Sequence, residues 1–154
     1  IPAAEALGMK TVGYDPFLDA ERAATISPNL RFTDDLLDLC ASCDYITIHV
    51  PATPKTKGMI GADEIAAMKE GAAFLNFSRD TLVDNDAMRA GLTSGKVRRY
   101  VTDFATPEVM TMEGALVLPH LGASTAEAEE NCAEMAVREV MDYLETGKKV
   151  HCVN

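Results

Sequence analysis

Residues Gly71 to Asp84 read GAAFLNFSRDTLVD: an apolar run of strand length that passes directly into hydroxyls, an arginine and two carboxylates. A short apolar run entered through a glycine predicts a buried strand. The abrupt change of chemistry on its carboxyl side predicts a loop at the mouth of a sheet, because ligands of open α/β sheets bind beyond the carboxyl ends of the strands.

The flanking sequence repeats this alternation. KTVGY (10–14) reads as a strand. RFTDDLLDLC (31–40) reads as a short strand and a helix, with Thr33 as N-cap and Asp34 and Asp35 in the first turn. DYITIHV (44–50) is β-branched and nearly continuous in apolar content, the pattern of a strand covered on both faces. ADEIAAMKEG (62–71) predicts a helix closed by Gly71, and AAFLNF (72–77) the strand quoted above. DNDAMRAGLTSG (84–95) predicts a helix stopped near Gly95, followed by strands at RRYVTDF (98–104) and ALVLP (115–119). Ser124-Thr125-Ala126-Glu127 reads as a capping box opening a last helix, which carries Ala128, Cys132, Met135, Ala136, Val140, Tyr143 and Leu144 along one stripe until Gly147. Strands alternating with helices in short register predict an α/β fold with a doubly wound, mostly parallel sheet.

Such a sheet, when it binds a dinucleotide, opens with a strand and G-x-G-x-x-G, and an acidic residue follows about 20 residues later at the end of the second strand. Asp15 stands where that acidic residue belongs, so the glycines fall before Ile1, and IPAAEALG reads as the last turns of the first helix, closed by Gly8. The expectation is a single nucleotide-binding domain over 1–154, truncated at its N-terminus, without its first strand and glycine-rich turn and without a substrate domain.

Composition narrows the partners. With 154 residues, 47% apolar and 25% charged, the chain is sized for one ordinary core. Fourteen basic against twenty-four acidic residues give a formal charge of −10, which argues against nucleic acid or an anionic membrane as partner. No apolar run approaches the roughly 18 to 20 residues of a membrane span, and the first residues lack a basic segment leading into an apolar one. A cytoplasmic setting is expected. Cys40 and Cys43 form a lone C-x-x-C, with Cys40 at the far end of its helix, where the dipole does not favour a thiolate. No second C-x-x-C or paired H-x-H completes a zinc site, so all four cysteines, including Cys132 and Cys152, are expected to be structural and no metal is expected.

The polar residues at the strand ends define a chemistry. Asp15 follows the first strand, His49-Val50-Pro51 the next, Ser78-Arg79-Asp80 follow AAFLNF, Asp103 through Glu108 follow RRYVT, and His120 follows ALVLP. An imidazole exchanges a proton near neutral pH, a carboxylate beside it fixes its tautomer, and a guanidinium holds a carboxylate at two points. His120, Glu108 and Arg79 supply these roles and together suit oxidation of a 2-hydroxy acid. An acidic Asp15 prefers the free ribose hydroxyls of NAD to the extra phosphate of NADP.

CDYITIHVPATPKT, NFSRDTLVD, DFATPE and PHLGAST resemble, in order, the motif series of the NAD-dependent D-2-hydroxyacid dehydrogenases. RYVTDF and GASTAEAEENCAEMA, leading to ETG and VN, are most similar to the branch of that family acting on 3-phosphoglycerate. The resemblance implies a Rossmann-like fold, NAD as cofactor, and oxidation of 3-phosphoglycerate to 3-phosphohydroxypyruvate at the head of serine synthesis. It also implies a homo-oligomer, dimer or tetramer. By that likeness Arg79 binds substrate, His120 donates and accepts the proton, and Glu108 is its partner. Asp15 holds the adenosine ribose, Val50 and Pro51 line the adenine side, Phe77 and Ser78 flank the nicotinamide half, Asp103 contacts the carboxamide, and Gly122 and Ala123 complete the pocket. Asp80 replaces the family's usual glycine, and an added carboxylate there is expected to pair with Arg79. Val109 replaces a common proline, which predicts a looser loop around Glu108.

Other roles for these residues stay open at the level of sequence. Asp15 before Pro16 also suits a turn, Arg79 a cap for the helix near Asp84, Glu108 a plain surface carboxylate, and His120 a turn. His49 and His151 read as structural. A second function class, a module that senses NAD or dimerises without catalysis, uses the same fold but has no need of an acid/base pair.

Overall fold

The computed structural model describes residues 1–152. They form two compact units, Ile1–Leu118 and the segment from Pro119 onward.

The first unit begins with α1 (Pro2–Ala6), β1 (Val12–Tyr14), α2 (Ala20–Ile26) and β2 (Arg31–Thr33). Gly8 follows α1 at φ +81°, the left-handed turn expected of a helix end. β1 and β2 pair in parallel, Gly13 facing Phe32. Next come α3 (Leu36–Ser42), β3 (Tyr45–Ile48), α4 (Ala62–Ala67) and β4 (Ala72–Asn76). The unit closes with α5 (Asn85–Ser94), β5 (Val97–Thr102), α6 (Pro107–Met110) and β6 (Ala115–Val117). Strands β3-β4-β5-β6 form one parallel sheet in that order. The α/β architecture with parallel strands is the one the sequence predicts.

The core sits on this four-stranded sheet. β4, paired with β3 and β5, buries four of its five residues, and Phe74 at its centre lies 6.1 Å, centroid to centroid, from Tyr100 on β5. Burying such a ring stabilises by roughly 1.5–3 kcal/mol. α3, α4 and α5 pack side by side. Gly91 on α5 lets α4 approach, since a Cβ there would stand 2.7 Å from Ile65 Cγ2.

Several local expectations are corrected. The cap of α3 is Asp35, which accepts the Leu37 N–H at 2.8 Å, and Thr33 ends β2 instead. β3 alternates exposed and buried along Tyr45–Ile48 rather than being covered on both faces: Ile46 and Ile48 are buried, whereas Tyr45 remains 56% exposed. α4 stops at Ala67, and the chain reaches Gly71, at φ +73°, through a turn.

The second unit contains α7 (Ala126–Thr146). Its cap is Thr125, accepting the Ala128 N–H at 3.1 Å, so the expected Ser124 box is displaced by one residue. Gly147 ends the helix at φ +70°, as the sequence predicts. No residue of α7 is buried, so Met135, Val140, Tyr143 and Leu144 stand exposed. Cys132 and Cys152 are also exposed, which corrects their reading as packed side chains. Among the described residues no helix is long and apolar enough to cross a membrane.

Candidate functional site at the carboxyl rim

Because β3 to β6 are parallel, their carboxyl ends share one edge. Val50 and Pro51 follow β3, Phe77, Ser78 and Arg79 follow β4, and Asp103 follows β5 on the way to Glu108. Asn76, the last residue of β4, is fully buried, and its amide organises the next three residues. Its Oδ1 accepts the Ser78 N–H at 3.1 Å and its Nδ2 donates to the Arg79 carbonyl at 2.8 Å. The Ser78 hydroxyl donates to the Val50 carbonyl at 2.6 Å, joining the loops after β3 and β4. Val50 packs on the core, Pro51 is exposed, and Phe77 between the two clamped residues is 38% exposed.

Arg79 is exposed at the rim and donates through Nη1 to the Ser78 carbonyl at 2.6 Å. The expected pairing with Asp80 does not form among the described residues. Asp80 instead accepts the Thr81 N–H at 2.8 Å and opens the 3-10 turn Asp80–Leu82. Nor does Arg79 cap α5, whose N-cap is Asp84, accepting the Ala87 N–H at 2.9 Å.

Glu108 is better held than the sequence predicts. Thr106 caps α6, Pro107 occupies its first turn, and Val109 is buried at 3% exposure, so the replacement of proline produces a helical turn rather than a loose loop. Arg89 of α5 reaches across to this turn, its Nη2 donating to the Glu108 carbonyl at 2.8 Å and to the Thr111 hydroxyl at 3.1 Å. Its Nη1 donates to the Thr111 carbonyl at 3.3 Å. The Glu108 carboxyl is exposed. Its own backbone N–H, the Thr106 hydroxyl and the Arg89 charge hold its pKa below the usual carboxylate range, so it is ionised at neutral pH.

Asp15 directly follows β1, and its Oδ1 accepts the Phe17 N–H at 2.8 Å, which makes it a turn residue. A carboxylate offers roughly four lone-pair sites, so this bond leaves capacity for ribose hydroxyls. His120, Gly122 and Ala123 lie in the exposed turn that opens the second unit, where the Leu121 N–H donates to the Pro119 carbonyl at 3.0 Å and Ser124 N–H to the Leu121 carbonyl at 3.1 Å. His49 contacts Thr47 Oγ1 through Nε2 at 2.9 Å, and His151 contacts Glu139 through Nδ1 at 2.8 Å. Cys40 is fully buried, and burial pushes its thiol up to about 11, against a redox role.

These loops offer a carboxylate at Asp15, apolar side chains at Val50, Pro51 and Phe77, and polar groups at Ser78 and Asp103. No G-x-G-x-x-G occurs in the sequence, so the usual cradle for a pyrophosphate is not among these residues. Sequence reading missed Asn76 and Arg89. The polar residue closing an apolar strand hinted at the first, whereas an arginine within a helix, as Arg89 is, carried no signal.

Comparison with known proteins identifies the family. The family model described as D-isomer specific 2-hydroxyacid dehydrogenase, NAD binding domain, matches residues 1–122. The D-3-phosphoglycerate dehydrogenase of Methanocaldococcus jannaschii is 35% identical over 150 residues, covering 94% of this chain and 28% of the relative. The D-3-phosphoglycerate dehydrogenase of Rattus norvegicus is 33% identical over 156 residues, covering 97% and 29%. The chain thus spans under a third of the length of these relatives. Among solved structures, D-lactate dehydrogenase with NAD+ from Lactobacillus jensenii is 25% identical with a TM-score of 0.78, covering 97% of this chain and 49% of that one. The holo form of Rhodotorula graminis D-mandelate dehydrogenase is 26% identical with a TM-score of 0.77, covering 92% and 42%. A parallel sheet with its polar loops on one edge, matched by that family model over most of the chain, belongs to the NAD-binding domains of the D-isomer specific 2-hydroxyacid dehydrogenases.

Proposed function

We propose that the protein carrying this domain oxidises a D-2-hydroxy acid with NAD, and that the acid is 3-phosphoglycerate, giving 3-phosphohydroxypyruvate for serine synthesis. The supporting observation is the shared rim: Val50, Ser78, Arg79 and the segment from Asp103 to Glu108 all follow carboxyl ends of one parallel sheet. The substrate rests on the names of the relatives quoted above.

In this reading the exposed Arg79 guanidinium takes the substrate carboxylate in two-point geometry. The His120 imidazole accepts the proton of the 2-hydroxyl as the C2–H bond breaks, and returns one in reductive turnover. The Glu108 carboxylate, ionised at neutral pH, stabilises the imidazolium. NAD, when bound, would supply the acceptor for the hydride leaving C2. Asp15 receives the adenosine ribose hydroxyls, Val50 and Pro51 line the adenine side, Phe77, Ser78 and Asp103 face the nicotinamide half, and Gly122 and Ala123 complete the pocket.

The domain organisation follows the same reading. β1 pairs only with β2, and β3 only with β4, so each leaves one edge without a strand partner among the described residues. We assign one further parallel strand, followed by the glycine-rich turn, to sequence ahead of Ile1, and the substrate domain to other parts of the parent protein. The parent is a cytoplasmic homo-oligomer, a dimer or tetramer. Turnover by the parent tests the central role: His120→Gln lowers kcat by about 10²- to 10⁴-fold. A near-original rate would remove His120 from the chemistry.

A further inference from the structure

Asn76 is a buried polar side chain spent on the loop that carries the proposed substrate-binding arginine. It is fully buried at the end of β4, opposite Thr102 on β5. A buried amide needs its hydrogen bonds met, and those with the shortest distances go to the rim: Ser78 N–H into Oδ1 at 3.1 Å, and Nδ2 into the Arg79 carbonyl at 2.8 Å. A longer contact of 3.5 Å joins Nδ2 to the Tyr100 hydroxyl. The amide therefore spans its own strand end and the backbone of the second and third residues beyond it, and fixes where the Arg79 side chain leaves the loop.

We infer that Asn76 is a positioning residue: its side-chain amide sets the backbone of Arg79, and so the direction of the guanidinium, for recognition of a 2-hydroxy acid carboxylate. The inference rests on the reading of Arg79 as the substrate-binding arginine. Asn76 itself touches neither substrate nor cofactor. Its two ends do different work. The Oδ1 end holds Ser78, which is tied to the Val50 loop, while the Nδ2 end holds Arg79.

Asn76→Asp separates the ends. The carboxylate still accepts from the Ser78 N–H, but when ionised it has no proton to give the Arg79 carbonyl; when protonated it regains that donor. The neighbouring phenol of Tyr100 keeps its proton through this range, since burial raises its pKa. Asp80 and Asp103, the charges acting on that phenol, are common to variant and parent and cancel in a ratio.

The test is steady-state oxidation of 3-phosphoglycerate by the full-length protein from pH 6 to 9, for the parent, Asn76→Asp, Asn76→Ala and Arg79→Lys. The ratio of 3-phosphoglycerate KM in Asn76→Asp to that in the parent is expected to be about tenfold at pH 9, where the new carboxyl is ionised, with KM for NAD within about twofold throughout. Asn76→Ala, which brings no titrating group, raises the same KM by a factor that does not change with pH, and carries the test alone if the aspartate variant does not fold. Parent-like KM at pH 9 in a folded Asn76→Asp overturns the inference, as does parent-like KM in Asn76→Ala. If Arg79→Lys leaves the KM unchanged, the reading of Arg79 fails instead. If Arg79→Lys raises it while the Asn76 variants do not, only the positioning role fails.

Discussion

Replacing Arg89 by methionine opens the turn that carries Glu108 without unfolding the domain. The guanidinium makes three hydrogen bonds to α6 and the residue after it, at 2.8, 3.1 and 3.3 Å. Bonds to a charged donor contribute about 1.5–3 kcal/mol each when shielded. Arg89 is only half-buried, so water takes over part of each when the side chain is removed, and about 1–2 kcal/mol is the reasonable net for the set. α6 has four residues, too few to hold its own helical form, and relies otherwise on the buried Val109 and Met112. A loss of about 1–2 kcal/mol corresponds to a 5- to 30-fold rise in the open population. Amide hydrogen exchange reads this directly. The Met110 and Met112 amides, bonded to the Thr106 and Val109 carbonyls, should exchange about 5- to 30-fold faster, while Phe74 and Tyr100 in the sheet stay as protected as before. Unchanged exchange at Met110 and Met112 would show that the apolar contacts alone hold the turn. Uniform loss across the sheet would show that Arg89 supports the whole unit.

Gly91→Ala gains about 1 kcal/mol of helix propensity. The new Cβ, however, meets Ile65 Cγ2 at 2.7 Å and Val97 Cγ2 at 3.3 Å, both on stiff β-branched side chains. Overpacking of that kind costs about 1–3 kcal/mol, so the thermal midpoint falls, and a rise would refute the close approach of α4. A thiol reagent at pH 8 should label Cys132 and Cys152 quickly and leave Cys40 unlabelled until the protein unfolds, because Cys40 is buried with its pKa pushed up to about 11. Fast labelling of Cys40 in native protein would contradict its packing. Hydrogen bonds from Thr11 and Ser27 hold the Glu5 carboxyl below its ordinary range, and Arg31 does the same for Asp38. A depressed folded pKa gives stability that is present above the unfolded value and lost as pH falls through the folded one, so acid weakens the fold below about pH 4.5. Glu5→Gln and Asp38→Asn should flatten that decline, and a denaturant midpoint that falls with acid as steeply as in the parent would refute the assignment.

The sheet was legible because its signals are local. GAAFLNF is apolar at consecutive positions, as a strand covered on both faces must be, and β4 buries four of its five residues. The glycine stops at Gly8, Gly95 and Gly147 also appear as left-handed turns. Edge position was not legible. DYITIHV is apolar enough for an inner strand, but whether it has a neighbour on each side depends on the rest of the sheet, and among the described residues it has one. Caps slipped because competing hydroxyls and carboxylates stand side by side: Thr33, Asp34 and Asp35 offer three candidates for one N–H, as do Ser124 and Thr125. At the rim, the residue types of the loops could be read from their place after strands. The bonds that hold those loops could not, because Arg89 meets Glu108 nineteen residues away and Ser78 meets Val50 across two strands.

The most direct measurement follows the hydrogen itself. Full-length protein containing this domain is given NAD and D-3-phosphoglycerate deuterated at C2, and the NADH formed is analysed by mass. The account predicts NADH one mass unit heavier, formed in equal amount with the 2-oxo acid. Binding of NAD with neither deuterated NADH nor 2-oxo acid, from this substrate or from other C2-deuterated D-2-hydroxy acids, would contradict it.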